Sequence, residues 1–249
     1  MSKRQEIRGR RRRERVRNRL VTILLVLAGA LLIVFALIIP SVNNIRNSAA
    51  NATKTAQYLT PSPVVVITPM VFTAVVNGVH LGDPNALVKV DIYEDFRCSV
   101  CKIYTDNYEP QVIQNYVDTG KVYYTFHSFI VIDGNDGTDA SYRSANAAMC
   151  AADQGKFWAY HDTLYANQVT EDASLFTDER LATMAQNLGL DMTAFDQCYQ
   201  AKQHASVIQN DINQGTSLKI GGTPSIFVNG TSVSYTNLLT SIDTALAGH

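Results

Sequence analysis

Cysteine is scarce in this chain. There are four in 249 residues, at positions 98, 101, 150 and 198, and only Cys98 and Cys101 are close neighbours. Neither Cys150 nor Cys198 has a cysteine or histidine two to four residues away, and the five histidines (80, 127, 161, 204 and 249) are scattered. A zinc knuckle needs four ligands in paired spacing, so this pattern argues against one, and no metal is expected. Internal repeats are also missing, which argues against a solenoid. Residues 20–39 lack any charge, and the proline that closes the run, Pro40, is not preceded by the small-x-small site of a cleaved leader.

That uncharged run, "LVTILLVLAGALLIVFALIIP", is long enough as a helix to span roughly 30 Å of hydrocarbon. It is expected to be an uncleaved transmembrane anchor over residues 20–40, with "SAANA" at 48–52 leaving cleavage as the minor alternative. Residues 1–19 carry ten Lys/Arg against two Glu, while the remainder is acidic, with 11 Lys/Arg against 20 Asp/Glu. Basic flanks stay cytoplasmic, so the rest of the chain is expected outside the membrane. Beside an apolar span, "RGRRRRERVR" reads as a topology signal with some attraction to anionic lipid, and no nucleic acid partner is expected. The outer compartment is oxidising, and all four cysteines fall in it.

Residues 41–70 lack helical periodicity and read as a linker, stiffened at its far end by Pro61, Pro63 and Pro69. The folded domain is expected over 71–249. "VFTAVV" reads as an edge strand, "LVKVDIY" (87–93) and "KVYYTFHSF" (121–129) as core strands, and the stretch between them as a helix that Pro110 should kink. A helical block follows over about 139–217, with Thr177 as an N-cap and Gly189 at a helix end. "PSIFVNGTSVS" then predicts a hairpin at Asn229–Gly230, and a closing helix follows. The order β-α-β, helical insertion, β-β-α is that of a thioredoxin-like α/β fold carrying an inserted helical subdomain.

The chemistry lies in "EDFRCSVCK" (94–102). At a helix start, unpaired N–H groups and the helix dipole favour a thiolate on the first cysteine. The second lies one turn in, within disulfide reach. Cys98 is therefore read as the attacking thiolate and Cys101 as the resolving thiol, with Arg97 and Lys102 adding positive charge nearby. A static bridge is disfavoured, since a pair so placed is strained and exposed. The second signal is "GGTPSIFVNG" (221–230), where Thr223–Pro224 before a strand suits a cis peptide packed beside the C-x-x-C.

"LGDPNALVKVDIYEDFRCSVC", "SANAAMCAADQGKFWAYHDTLYANQ" and "GGTPSIFVNG" together resemble the DsbA-like thiol:disulfide oxidoreductases, most of all their membrane-anchored bacterial forms. The resemblance covers about residues 75–247. It implies a dithiol oxidase that introduces disulfides into exported proteins bearing free thiols, and a membrane quinone-linked partner of the DsbB or vitamin K epoxide reductase type. Cys98 and Cys101 match the redox pair and Thr223–Pro224 the cis-proline loop; no cofactor is called for. Two departures stand out. Ser99–Val100 supplies no imidazole, and the position six before the first cysteine, where relatives often carry a buried carboxylate, is Ile92, with Asp91, Glu94 and Asp95 nearby. A membrane-anchored reductase, serving for example a cytochrome c maturation relay, and a non-enzymatic peptide-binding scaffold are the alternatives.

Some relatives bridge the two remaining positions, and Cys150–Cys198 is expected to be a structural disulfide, worth roughly 4 kcal/mol in the loop-entropy model. Two buried thiols or an electron-shuttle pair are the alternatives. Reduced, unfolded chain should alkylate four thiols and native oxidised protein none, by mass spectrometry; two freely reactive thiols in the native protein would contradict the bridge.

Overall fold

The computed structural model describes residues 63–248. The expected basic tail, anchor and most of the linker lie outside them, and among the described residues no helix is long and apolar enough to cross a membrane.

A six-stranded sheet runs β1 (Val76–Asn77), β2 (His80–Leu81), β4 (Val122–Ser128), β3 (Val88–Glu94), β5 (Ser225–Val228), β6 (Thr231–Val233) across its width. β3 lies at its centre, parallel to β4 and antiparallel to β5. Val88, Val90 and Ile92 are fully buried on one face of β3, as the period of two in a strand requires. The expected six-residue edge strand shrinks to two residues. Gly82, at φ +96°, directly follows β2, and a Cβ there would meet the Val122 carbonyl at 2.4 Å, so only glycine lets the chain pass. Asn229 and Gly230 both take positive φ and close the β5–β6 hairpin.

Between β3 and β4 the helix breaks rather than kinks. α1 (Ser99–Asn107) ends at Tyr108, and α2 (Glu109–Val112) restarts with Pro110 in its first turn before a π turn at Ile113–Val117. A proline lacks the N–H that a helix interior needs but costs nothing in a first turn. The helical insertion begins earlier than expected, with α3 (Ile132–Asp136), then α4 (Ala140–Ala152), α5 (Phe157–Asn167), a 3₁₀ turn (Ala173–Phe176), α6 (Asp178–Asn187), α7 (Met192–Ala201) and α8 (Ala205–Ser217). The Thr177 side chain caps α6 by accepting from Arg180 N–H. Asp191 caps α7, and Lys202, in the left-handed conformation, ends it before α8 begins. α9 (Leu238–Ala247) covers the sheet near β5. A disulfide joins Cys150 of α4 to Cys198 of α7.

Residues 63–70, read as linker, are tied to the domain. Asn167 brackets Val65 by accepting from its N–H and donating to its carbonyl, and Asp162 accepts from Met70 N–H. Phe157, Trp158 and Tyr160 are core residues, each at most 2% exposed.

The insertion is fastened to the sheet through His127 of β4. Its ring lies 2.9 Å from Asp211 of α8 and 3.2 Å from Asp91 of β3, and stacks on Tyr93. Burial would lower its pKa, but hydrogen bonds and charge from the two aspartates prevail and raise it to about 9. A raised histidine pKa stabilises the fold fully below the unfolded value of 6.5 and loses that contribution as pH climbs through about 9. The stability gap between wild type and His127→Gln, measured by urea unfolding, should be roughly 2 kcal/mol at pH 6 and close toward zero above pH 9.

Candidate redox site

β3 ends and α1 begins within five residues, and this turn sets the site. Asp95 builds it: one carboxylate oxygen accepts from Arg97 N–H at 2.9 Å, and the other from Val131 and Ile132 N–H at 2.9 and 3.0 Å. The Asp95 carbonyl accepts from Cys98 N–H at 2.9 Å. Both Asp95 carboxylate oxygens are thus committed to holding the loop.

Cys98 is the N-cap residue of α1, in extended backbone conformation and 6% exposed. Its thiol lies 3.2 Å from the Thr223 carbonyl, and the Thr223–Pro224 peptide is cis. The two sequence segments, 125 positions apart, thus meet. Cys98 and Cys101 are free thiols. The Cys98 thiol is shifted down to about 6, chiefly by a hydrogen bond from Cys101, against burial, with further lowering from the Thr223 side chain and the backbone N–H groups of Cys101 and Val100. Cys101 is fully buried, and burial, then the Cys98 and Glu94 neighbours, pushes its pKa well up. The two sulfurs therefore differ in the sense that nucleophile and resolving thiol require.

The expected cationic help is not delivered. Arg97, only 1% exposed, spends its guanidinium on Asp133 and Asp136, on Thr138 and on the Glu171 carbonyl. Lys102 pairs with Asp106 at 3.0 Å and donates to the Tyr165 carbonyl at 2.7 Å. A cation held by carboxylates is largely neutralised, so acidity at Cys98 comes from hydrogen bonds and the helix start.

Behind Cys101 lies a buried polar cluster that the sequence does not single out. Glu94, the last residue of β3, is 1% exposed; its Oε2 accepts from the Tyr165 hydroxyl at 3.1 Å and lies 3.6 Å from His161 Nε2. Its Oε1 has no hydrogen-bond partner among the described residues. Burial raises the Glu94 pKa despite the histidine and tyrosine that favour its charge. Glu109, held by the Tyr124 hydroxyl at 3.0 Å, is raised by burial to about 8. Burial would lower His161, but the charges and hydrogen bonds of Glu109, Asp162 and Glu94 raise it to about 10. Three potential ligands, Glu109, His161 and Asp162, approach within 4.8 Å, as do Cys150, Cys198 and His204. The latter sulfurs are consumed by their disulfide.

A cysteine pair at a helix start, one thiol acidic and one sealed, against a cis-proline loop at the edge of a central β3–β5 pair defines a thiol:disulfide exchange protein of thioredoxin fold. The thioredoxin family model matches residues 74–246, and the chain belongs to that family, as a DsbA-like thiol:disulfide oxidoreductase. It is 29% identical over 152 residues to the probable disulfide bond formation protein D of Bacillus anthracis, covering 60% of this chain and 69% of that one. It is 29% identical over 174 residues to a putative protein-disulfide oxidoreductase of Rickettsia prowazekii, covering 68% and 62%. Oxidised BdbD from Bacillus subtilis has a similar structure, with a TM-score of 0.61 at 21% identity over 75% of this chain and all of that one.

Thiolate absorbance at 240 nm in the reduced protein should give an ionisation midpoint near about 6 for Cys98, lost in Cys98→Ala. Iodoacetamide should label Cys98 alone in the folded state.

Proposed function

We propose that this chain is a membrane-anchored, extracytoplasmic dithiol oxidase acting on exported proteins with free thiols. The observation that carries the reading is the placement of Cys98 at the start of α1, its sulfur 3.2 Å from the Thr223 carbonyl, with Cys101 fully buried one turn in. In the oxidised form a substrate thiolate attacks the Cys98 sulfur, the Cys98–Cys101 bond breaks, and Cys101 leaves as a thiolate. The second substrate thiolate then attacks the substrate sulfur of the mixed disulfide, and Cys98 leaves. The client gains one disulfide, and this protein takes up its two electrons. Leaving is easy for Cys98 because its thiolate is already stabilised.

Cys101 departs into a sealed interior and needs a proton there. Glu94 supports this step, because it neighbours Cys101 and burial raises its pKa, so that it holds a proton to higher pH than an ordinary carboxyl. An unpartnered buried oxygen such as Glu94 Oε1 is costly, and its retention is explained by proton transfer. Glu94 lies four positions before Cys98, not six.

Residues 20–40 supply the anchor and the basic tail its orientation, which supports an outward catalytic domain and a membrane quinone-linked reoxidase. The missing imidazole at Ser99–Val100 is what favours the second reading, an anchored reductase.

Cys98→Ala should abolish oxidation of a reduced dithiol peptide, while Cys101→Ala should accumulate a mixed disulfide at Cys98, seen as a mass adduct released by reductant. Undiminished turnover in Cys98→Ala would leave the scaffold reading in place.

A further inference from the structure

The first turn of α1 presents the backbone N–H groups of Ser99, Val100 and Cys101. Those of Val100 and Cys101 donate to the Cys98 sulfur. The Ser99 N–H does not. It donates to Glu171 Oε1 at 3.2 Å, and the Ser99 hydroxyl donates to the same oxygen at 2.8 Å. Glu171 belongs to the exposed segment between α5 and the 3₁₀ turn, 72 positions further along the chain.

Its backbone is held too. The Glu171 carbonyl accepts from both Nε and Nη2 of Arg97, whose guanidinium is buried and already paired with Asp133 and Asp136. The residue before Cys98 therefore fixes the Glu171 main chain, and the residue after Cys98 fixes its carboxylate. Two acidic groups share one helix terminus: the Glu171 carboxylate and the Cys98 thiolate, which exists only in the reduced protein.

Anchoring this segment needs only the Arg97–carbonyl bonds. The carboxylate adds something an anchor does not require, a negative charge one residue from the redox sulfur. Like charges at a helix N-terminus compete for the same donors and repel each other. Among the described residues, the two cations that flank Cys98 in the chain, Arg97 and Lys102, are both paired with carboxylates.

We infer that Glu171 is a positioning residue that sets the oxidising strength of the Cys98–Cys101 pair, by holding its carboxylate on Ser99 and so opposing the Cys98 thiolate. The inference rests on reading Cys98 and Cys101 as the redox pair. The reaction it tunes is the exchange of two glutathione thiols with the protein disulfide, giving the protein dithiol and one glutathione disulfide. Weakening the opposing charge stabilises the dithiol side, because that side carries the thiolate.

The test is Glu171→Gln in the full-length chain, which keeps an acceptor for Ser99 and removes the charge, beside Glu171→Asp, which keeps the charge. At low salt the Gln variant should raise the Cys98 ionisation constant, read at 240 nm, by about two- to five-fold, the size of a charge effect at a helix end. The glutathione equilibrium should move toward the dithiol by a similar factor. In about 1 M salt, where the screening length falls to about 3 Å, the difference from wild type should largely vanish. The Asp variant should stay near wild type. An unshifted Cys98 in the Gln variant, or a shift that persists undiminished in high salt, overturns the assignment. A shifted Cys98 in a chain whose wild type exchanges no disulfides overturns the redox reading instead.

Discussion

The hydrogen bonds that converge on the Cys98 sulfur at the first turn of α1 govern the rest of the site. Cys101 and the backbone N–H of Val100 favour its thiolate, and the Thr223 carbonyl accepts from the neutral thiol. They do so because β3 delivers Cys98 to the helix start, the Asp95 carboxylate locks the turn, and the β5 approach brings Thr223 against it. Move the turn, and the sulfur becomes an ordinary thiol. The sheet, the broken first helix and the inserted helices are the frame that keeps three backbone segments at one point.

The same frame makes the second sulfur different in kind. Cys101 lies one turn deeper, where burial disfavours any charge. A bond between the two sulfurs is therefore a bond between a good leaving group and a poor one. The interior answers with Glu94, Glu109 and His161, which share a few protons away from water. Such groups titrate as a set, so proton uptake during exchange belongs to the cluster as much as to any one member.

Much of this was legible in the sequence. The C-x-x-C, the apolar strand before it, the Asn229–Gly230 turn and the Thr-Pro loop are local signals, and each reflects nearest-neighbour chemistry. What was not legible depends on distant partners. Arg97 reads as a helpful cation until Asp133 and Asp136 are seen to neutralise it. Three carboxylates crowd positions 91–95, and only the end of β3 decides that Glu94 faces inward while Asp95 turns the loop. Glu171 carries no local mark at all. Residues 63–70 look like linker because their bonds are to single side chains of α5, which no periodicity records.

The central claim is that a stabilised Cys98 thiolate makes the pair an electron acceptor for client thiols. Equilibration with glutathione measures this directly. The account predicts a reduction potential between roughly −120 and −200 mV, in the range of the dithiol oxidants and isomerases. A value near about −270 mV, that of a reducing thioredoxin, would contradict it.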